Sequence, residues 1–130
     1  MIKVVVGLFI NPENGTILIV KRNAMAQFSG SWEFPGGQQE VGENSEECLE
    51  RQMYQGFNSS CQVFNLFSES TSQMGVQEVQ VTAFLAKLED EIQPFVHEDF
   101  KWVGLSNLLA EELVPPMRAI AEKVVATFLG

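Results

Sequence analysis

A chain of 130 residues suits one domain built around one buried core. Eight Lys and Arg against 17 Asp and Glu leave a net charge of −9, which excludes binding to a DNA or RNA polymer by wholesale phosphate neutralisation and disfavours an anionic membrane surface. With 45% apolar and 19% charged residues, the composition is that of a folded globular protein and not of a disordered one.

Taken in chain order, Lys3–Ile10 is rich in Val and Ile and reads as a strand. Asn11-Pro12-Glu13-Asn14-Gly15 makes a turn, because Asn-Gly supplies the positive φ of a tight reversal, and Thr16–Lys21 returns as the second arm of a hairpin. A loop over Asn23–Ser31 leads to a short strand, Trp32-Glu33-Phe34, which stops at Pro35-Gly36-Gly37. Asn44 as N-cap with Glu47 three residues on has the spacing of a capping box, and Leu49, Met53 and Phe57 recur every four residues as the buried face of a helix ending near Gly56–Asn58. Strands follow over Gln62–Phe67 and Val76–Leu88, the second with clear period-two alternation. After the acidic bend Glu89-Asp90-Glu91 comes a last strand, Phe100–Val103. Ser106 is expected to cap a short helix through Ala110, and Pro115-Pro116 to open a helix to about Phe128. The pattern is one mixed α+β domain without repeats or linkers.

Cys48 and Cys61 stand at no metal-ligand or Cys-x-x-Cys spacing and read as buried, reduced thiols of a cytoplasmic protein. His97 is the single histidine, which excludes a site built on several imidazoles. The apolar run Val4–Ile10 is too short to span a membrane and no cleavage-type sequence follows it, so neither a membrane partner nor secretion is expected. An acidic protein still binds a small nucleotide where a divalent cation or local donors supply positive charge.

The segment Trp32-Glu33-Phe34-Pro35-Gly36-Gly37-Gln38-Gln39-Glu40-Val41-Gly42-Glu43, running into a helix that carries Arg51, resembles the Nudix box, Gly-x5-Glu-x7-Arg-Glu-U-x-Glu-Glu-x-Gly-U with U a bulky apolar residue. Gly37 matches the first Gly, Glu43 the first Glu, Arg51 the Arg and Met53 the first U. The opening hairpin, Lys21-Arg22, Lys101-Trp102-Val103 and the Pro-led closing helix also fall where small MutT-like members have them, so the resemblance covers nearly the whole chain. It implies one Nudix domain over 1–130, an α/β/α sandwich with a mixed sheet, the box helix on one side and the C-terminal helix on the other. It also implies Mg²⁺ or Mn²⁺ held by glutamates of the box, bridging the phosphates of a small phosphorylated, nucleotide-like ligand and activating water.

The chain departs from that pattern at the glutamates. Read ungapped from Arg51, the three box positions are Gln52, Gln55 and Gly56; a two-residue deletion would instead align Gly56-Phe57 with the closing Gly-U, and restores no carboxylate. Glu47 and Glu50 lie roughly 140–160° around the helix from Gln52 and point away. Glu40, Glu43 and Glu98 are the candidate substitute ligands. By the resemblance, Glu43, Arg51, Gln52 and Gln55 occupy the catalytic positions, and Val6, Arg22, Phe28, Gly37 and Met117 lie along the substrate. Each has a plainer reading beside it. Val6 is a core valine, Arg22 a solvated strand-end charge, and Gln52 and Gln55 neutral cleft or surface residues. Glu43 and Arg51 are structural, with Arg51 paired to Glu47 one turn back. Phe28 and Trp32 either stack on a base or pack under their loop. Met117 stands where a base-reading Asn or Asp is common, and a thioether cannot make that donor–acceptor contact.

The expectation is a MutT-like domain of the nucleoside-triphosphate pyrophosphohydrolase lineage that binds a nucleotide-like or other phosphorylated ligand with weak or no conventional Mg²⁺-dependent hydrolysis. The alternatives are an active nucleoside di- or triphosphate pyrophosphohydrolase using relocated carboxylates, and a non-catalytic protein-interaction module.

Overall fold

The computed structural model describes residues 1–22, 27–92 and 99–130; the expectations for His97 and Glu98 lie outside the described residues. The elements are β1 (Ile2–Asn11), β2 (Thr16–Lys21), β3 (Trp32–Glu33), β4 (Gly36–Gln38), α1 (Ser45–Phe57), β5 (Cys61–Met74), β6 (Gln77–Leu88), β7 (Asp99–Gly104), a 3-10 helix (Leu105–Ala110) and α2 (Pro115–Phe128). No helix among the described residues is long and apolar enough to cross a membrane.

The sheet is mixed. Its order is β3-β2-β1-β6-β5, with β4 also on β1 and β7 also on β2. β1 runs parallel to β6 from Ile2↔Val79 to Phe9↔Ala86, pairs with β4 at Val4–Val6 and reaches β2 only at Ile10↔Ile17 and Asn11↔Thr16. The opening hairpin therefore splays. Its turn is as expected, but the β-branched residues of β1 are spent on β6 and β4.

Strand alternation sorts the core into two layers. Val6 and Leu8 join Ile17, Ile19, Val81 and the α2 residues Met117, Ile120, Ala121 and Val124. Val5 and Phe9 join Leu18, Val20 and the α1 residues Leu49, Met53 and Phe57. The helices thus cover opposite faces, as an α/β/α sandwich requires. Leu49, Met53 and Phe57 are all at most 1% exposed, and burial of such side chains stabilises by about 1.5–3 kcal/mol each.

Four sequence expectations need correction. Gly36–Gln38 does not simply end a strand but forms β4. Its glycines carry no strand signal, and the pairing is imposed by β1. β5 continues to Met74 and is joined to β6 through Gly75, at φ 66°; its distal half, Ser-Glu-Ser-Thr-Ser-Gln, is a partly exposed ladder with no apolar alternation. Phe34 lies outside β3, buried in the α2-side core. Ser106 is not the cap of the 3-10 helix, which starts at Leu105 after Gly104 with no side-chain cap.

At the other end of the box helix the capping box is present, with Asn44 accepting from Glu47 N–H and Glu47 accepting from Asn44 N–H. The helix closes on Asn58 in the left-handed region, φ 50° and ψ 39°, its N–H donating to the Met53 and Tyr54 carbonyls. That conformation is a glycine's task, and Asn is the side chain that best tolerates it. It favours the ungapped reading, in which Asn58 stands at the box's closing Gly. Asn58→Val is expected to cost about 1–2 kcal/mol, the penalty for a β-branched residue there. Urea unfolding measures it, and an unchanged midpoint would contradict the strained cap.

Candidate functional site

The site is built by β4 lying between β1 and α1. Gly36, at φ 153°, passes so close that a Cβ would collide with the Val5 carbonyl, and a Cβ on Gly37 would stand 2.5 Å from the Gln52 amide atoms. Gly36 is therefore what lets the segment lie against the strand, while at Gly37 the neighbour is the flexible end of the Gln52 side chain.

Arg51 gathers the surrounding polar groups. Its Nη2 donates to Glu43 Oε1 at 2.8 Å and to the Gln38 carbonyl at 3.1 Å. Its Nε donates to Glu43 Oε2 at 3.0 Å and its Nη1 to Gln55 Oε1 at 3.0 Å. Glu40 lies 3.6 Å from Nη1 with its own side chain 68% exposed. The expected Arg51–Glu47 pair does not form, because the Glu47 carboxylate is taken by the Asn44 N–H at 2.9 Å. The bidentate guanidinium fork suits the Glu43 carboxylate. Together with the Glu40 N–H, which donates to Glu43 at 2.9 Å, it holds the Glu43 carboxyl down at about 2, while Arg51 is raised in turn. Gln52 Nε2 adds a second donor to the Gln38 carbonyl, at 3.3 Å. Beside this network Cys48 is fully buried, its thiol pushed up to about 11 chiefly by burial, and so inert at neutral pH.

This donor set does not fit a divalent cation. Mg²⁺ takes free oxygen ligands in octahedral array; here the Glu43 carboxylate and the Gln38 carbonyl already face N–H donors and a guanidinium charge. Among the described residues no three His, Cys, Asp or Glu side chains gather as a metal cluster. Of the candidate ligands, Glu40 is solvated, Glu43 is bonded to Arg51, and Glu98 lies outside the described residues.

A cavity of about 280 Å³ opens on the other side of β4, floored by Ile2, Val4, Val6 and Val79 and bordered by Gly37 and Arg22. A larger hollow of about 920 Å³, at the far end of β1, includes no residue of the 36–55 segment, so the smaller cavity is the one joined to the box. Arg22 Nη1 donates to Glu33 Oε2 at 2.7 Å and Oε1 at 3.0 Å, and its Nε to the Gln27 carbonyl at 2.8 Å. Burial raises the Glu33 carboxyl, and Arg22 opposes that rise. Arg22 is therefore not a solvated strand-end charge. Val6 is both core and cavity floor. Phe28 (at φ 60°) and Trp32 pack against the α2-side core, and Met117 is buried within it; Lys101 Nζ stands 4.3 Å over the Trp32 ring. None of these three is among the residues lining the cavity. The lining also includes Gln27, Gln38, Met74 and Gln77; the β5–β6 turn brings Met74 and Gln77 there from outside the box, which ends at Ser59.

Comparison with known proteins bears on the fold and the family. The family described as NUDIX domain matches residues 1–128. The 8-oxo-dGTP diphosphatase of Escherichia coli (strain K12) is 27% identical over 124 residues, covering 95% of each chain. The MutT NUDIX hydrolase of Burkholderia pseudomallei superposes with TM-score 0.84 at 21% identity, over 95% of this chain and 97% of that one. The MutT protein of Methanosarcina mazei Go1 gives 0.84 at 18%, over 98% and 94%.

The Glu43 pairing sets a pH dependence. Its unfolded value of 4.5 lies above the folded value of about 2, so the unfolded chain binds the extra proton in that window and stability rises with pH. The Glu43 contribution is expected in full above about 4.5 and to be lost as pH falls towards 2. Urea unfolding of wild type and Glu43→Gln should differ most at neutral pH and converge in acid. A constant difference across that range would contradict it.

Proposed function

The chain belongs to the Nudix family, and on that premise we propose that it is a MutT-like domain that binds a nucleotide-like or other phosphorylated ligand with weak or no conventional Mg²⁺-dependent hydrolysis. The observation that carries the reading is the pair of N–H donors from Arg51 and Gln52 on the Gln38 carbonyl, beside a Glu43 carboxylate bound to the same guanidinium. Where a metal-dependent site would present oxygens to a cation, this one presents nitrogens to oxygens. Bound Mg²⁺, where a Nudix protein holds it, supplies charge neutralisation and an activated water. Here Arg51 neutralises Glu43 instead and fixes the loop against the helix.

The fold and the cleft support retention of ligand binding: Val6, Arg22 and Gly37 still meet around one cavity. Similarity to an 8-oxo-dGTP diphosphatase supports a nucleotide as the ligand class. One domain over residues 1–130 and a cytoplasmic setting complete the proposal, the latter supported by two buried free thiols.

Incubation with NTPs, dNTPs, 8-oxo-dGTP and ADP-sugars in Mg²⁺ or Mn²⁺ tests it. Turnover is expected at least about 10³-fold below the ~10 s⁻¹ typical of enzymes. Turnover near one per second would support relocated carboxylates and defeat the proposal. No binding of any of these compounds would favour the interaction module. The double reversion Gln52→Glu with Gln55→Glu is expected to raise the Mg²⁺-dependent rate at least tenfold, about 1.4 kcal/mol of barrier. Gly56 is left unchanged because it is buried within α1.

A further inference from the structure

We propose that the larger hollow, at the far end of β1, is a docking groove for a basic segment of a partner protein, one in which lysine or arginine stands next to an aromatic or large aliphatic anchor. The proposal goes beyond the ligand-binding reading above and holds whichever ligand the cleft beside β4 takes.

The floor of the groove is apolar and lies on the α1 side of the sheet. Phe9 and Ala86 belong to the α1-side core, and Phe100 packs against it. Trp102 pairs with Leu18, a member of the same core, so strand geometry places it on the same face. Among the described residues none from α1 lines the hollow, so the helix leaves this end of the face uncovered. Phe64 and Trp102 are 55% and 41% exposed there. Large aromatic side chains left to solvent around one depression mark a surface that a partner covers. At about 920 Å³ the hollow stands at the upper end of the roughly 300–1,000 Å³ of pockets that enclose small ligands. It has room for several side chains of a peptide.

Charge identifies the occupant. β1 and β6 run parallel and are in register at Phe9↔Ala86, so the turn after β1 and the bend after β6 emerge at one end of the groove. They bring Glu13, Glu89, Asp90 and Glu91 into the lining, all four exposed. Among the described residues none of the four is in an ion pair. Lys87, the lysine of the lining, sits between Ala86 and Leu88, and strand alternation directs its side chain to the opposite face. The acidic bend is also preformed. Glu89 N–H donates to the Ser60 carbonyl at 2.9 Å, Ser59 Oγ donates to the Asp90 carbonyl at 3.2 Å, and Asp90 Oδ2 accepts the Ser60 N–H at 3.1 Å. Carboxylates fixed beside exposed aromatic rings suit a guanidinium or ammonium group, which pairs with the one and stacks on the other.

A second copy of this chain does not supply such a group. Of its eight Lys and Arg, Arg22, Arg51 and Lys101 are held in ion pairs, and Arg118 and Lys123 donate to backbone carbonyls. Lys3, Lys21 and Lys87 remain, far apart in sequence on a chain of net charge −9. Nucleic acid and an anionic membrane are repelled by the same carboxylates. The complement of the groove is a basic polypeptide segment.

The test is selection of a random-peptide display library on the wild-type protein at low salt, with affinities of the enriched peptides read by fluorescence anisotropy. The enriched peptides are expected to carry lysine or arginine next to an aromatic or large aliphatic residue. Their affinity should fall at least about tenfold between about 0.1 M and about 1 M ionic strength, as the Debye length shortens from ~10 to ~3 Å. Glu89→Gln with Glu91→Gln, and separately Phe64→Ala, are each expected to weaken them about fivefold or more. The altered side chains are exposed, and thermal midpoints matching wild type verify that both variants fold. Enrichment of acidic or uncharged peptides would overturn the proposal. So would failure to enrich any peptide, or affinities that neither variant changes.

Discussion

The Arg51 guanidinium ties helix α1 to the segment that precedes it, and the geometry of the site follows from that tie. Its donors reach Glu43 at the end of the glycine-rich segment, Gln38 at the end of β4 and Gln55 one turn further along its own helix. β4 is thereby held between β1 and α1, with no room for a side chain at Gly36 against the β1 backbone. Because Gly37 borders the cavity and its carbonyl neighbour Gln38 accepts from α1, the same contact fixes one wall of the cleft. Apolar burial supplies most of the stability, from two core layers on opposite faces of the sheet; Arg51 decides where the polar backbone lies relative to them.

Replacing glutamate by glutamine at positions 52 and 55 is a small change in shape and a large one in electrostatics. A carboxylate at position 52 would set acceptor against acceptor at the Gln38 carbonyl and would require a cation to mediate. The amide donates there directly. Gln55 accepts from Arg51 without adding charge. The acidic surplus of the chain is displaced from the centre of the site to its outer rim and helix face, where Glu40, Glu46, Glu47 and Glu50 are solvated or serve the helix cap.

Much of this was legible in the sequence, for identifiable reasons. Asn44 and Glu47 mark the start of α1 because the capping box is a local interaction, and Leu49, Met53 and Phe57 mark its buried face because the helical period is fixed. Residues whose conformation is set by a distant partner were not legible. β4 owes its extended state to Val4–Val6, and β5 runs on to Met74 because β6 pairs with it there. Arg51 finds Glu43, eight residues back, instead of Glu47, because the cap has already claimed Glu47. Gln27 meets the β5–β6 turn at Gly75, a neighbour far away in sequence that no local pattern signals. Val6, Arg22 and Gly37, by contrast, line one cavity, and there Arg22 carries a Glu33 partner that no motif signals.

Arg51 and Gln52 both donate N–H groups to the Gln38 carbonyl, and the proposed consequence is that no divalent cation is held there. Calorimetric titration of Mg²⁺ and Mn²⁺ into the ligand-free protein tests this. No saturable binding in the micromolar range is the predicted result. A micromolar site that Gln52→Ala or Gln55→Ala abolishes would contradict it.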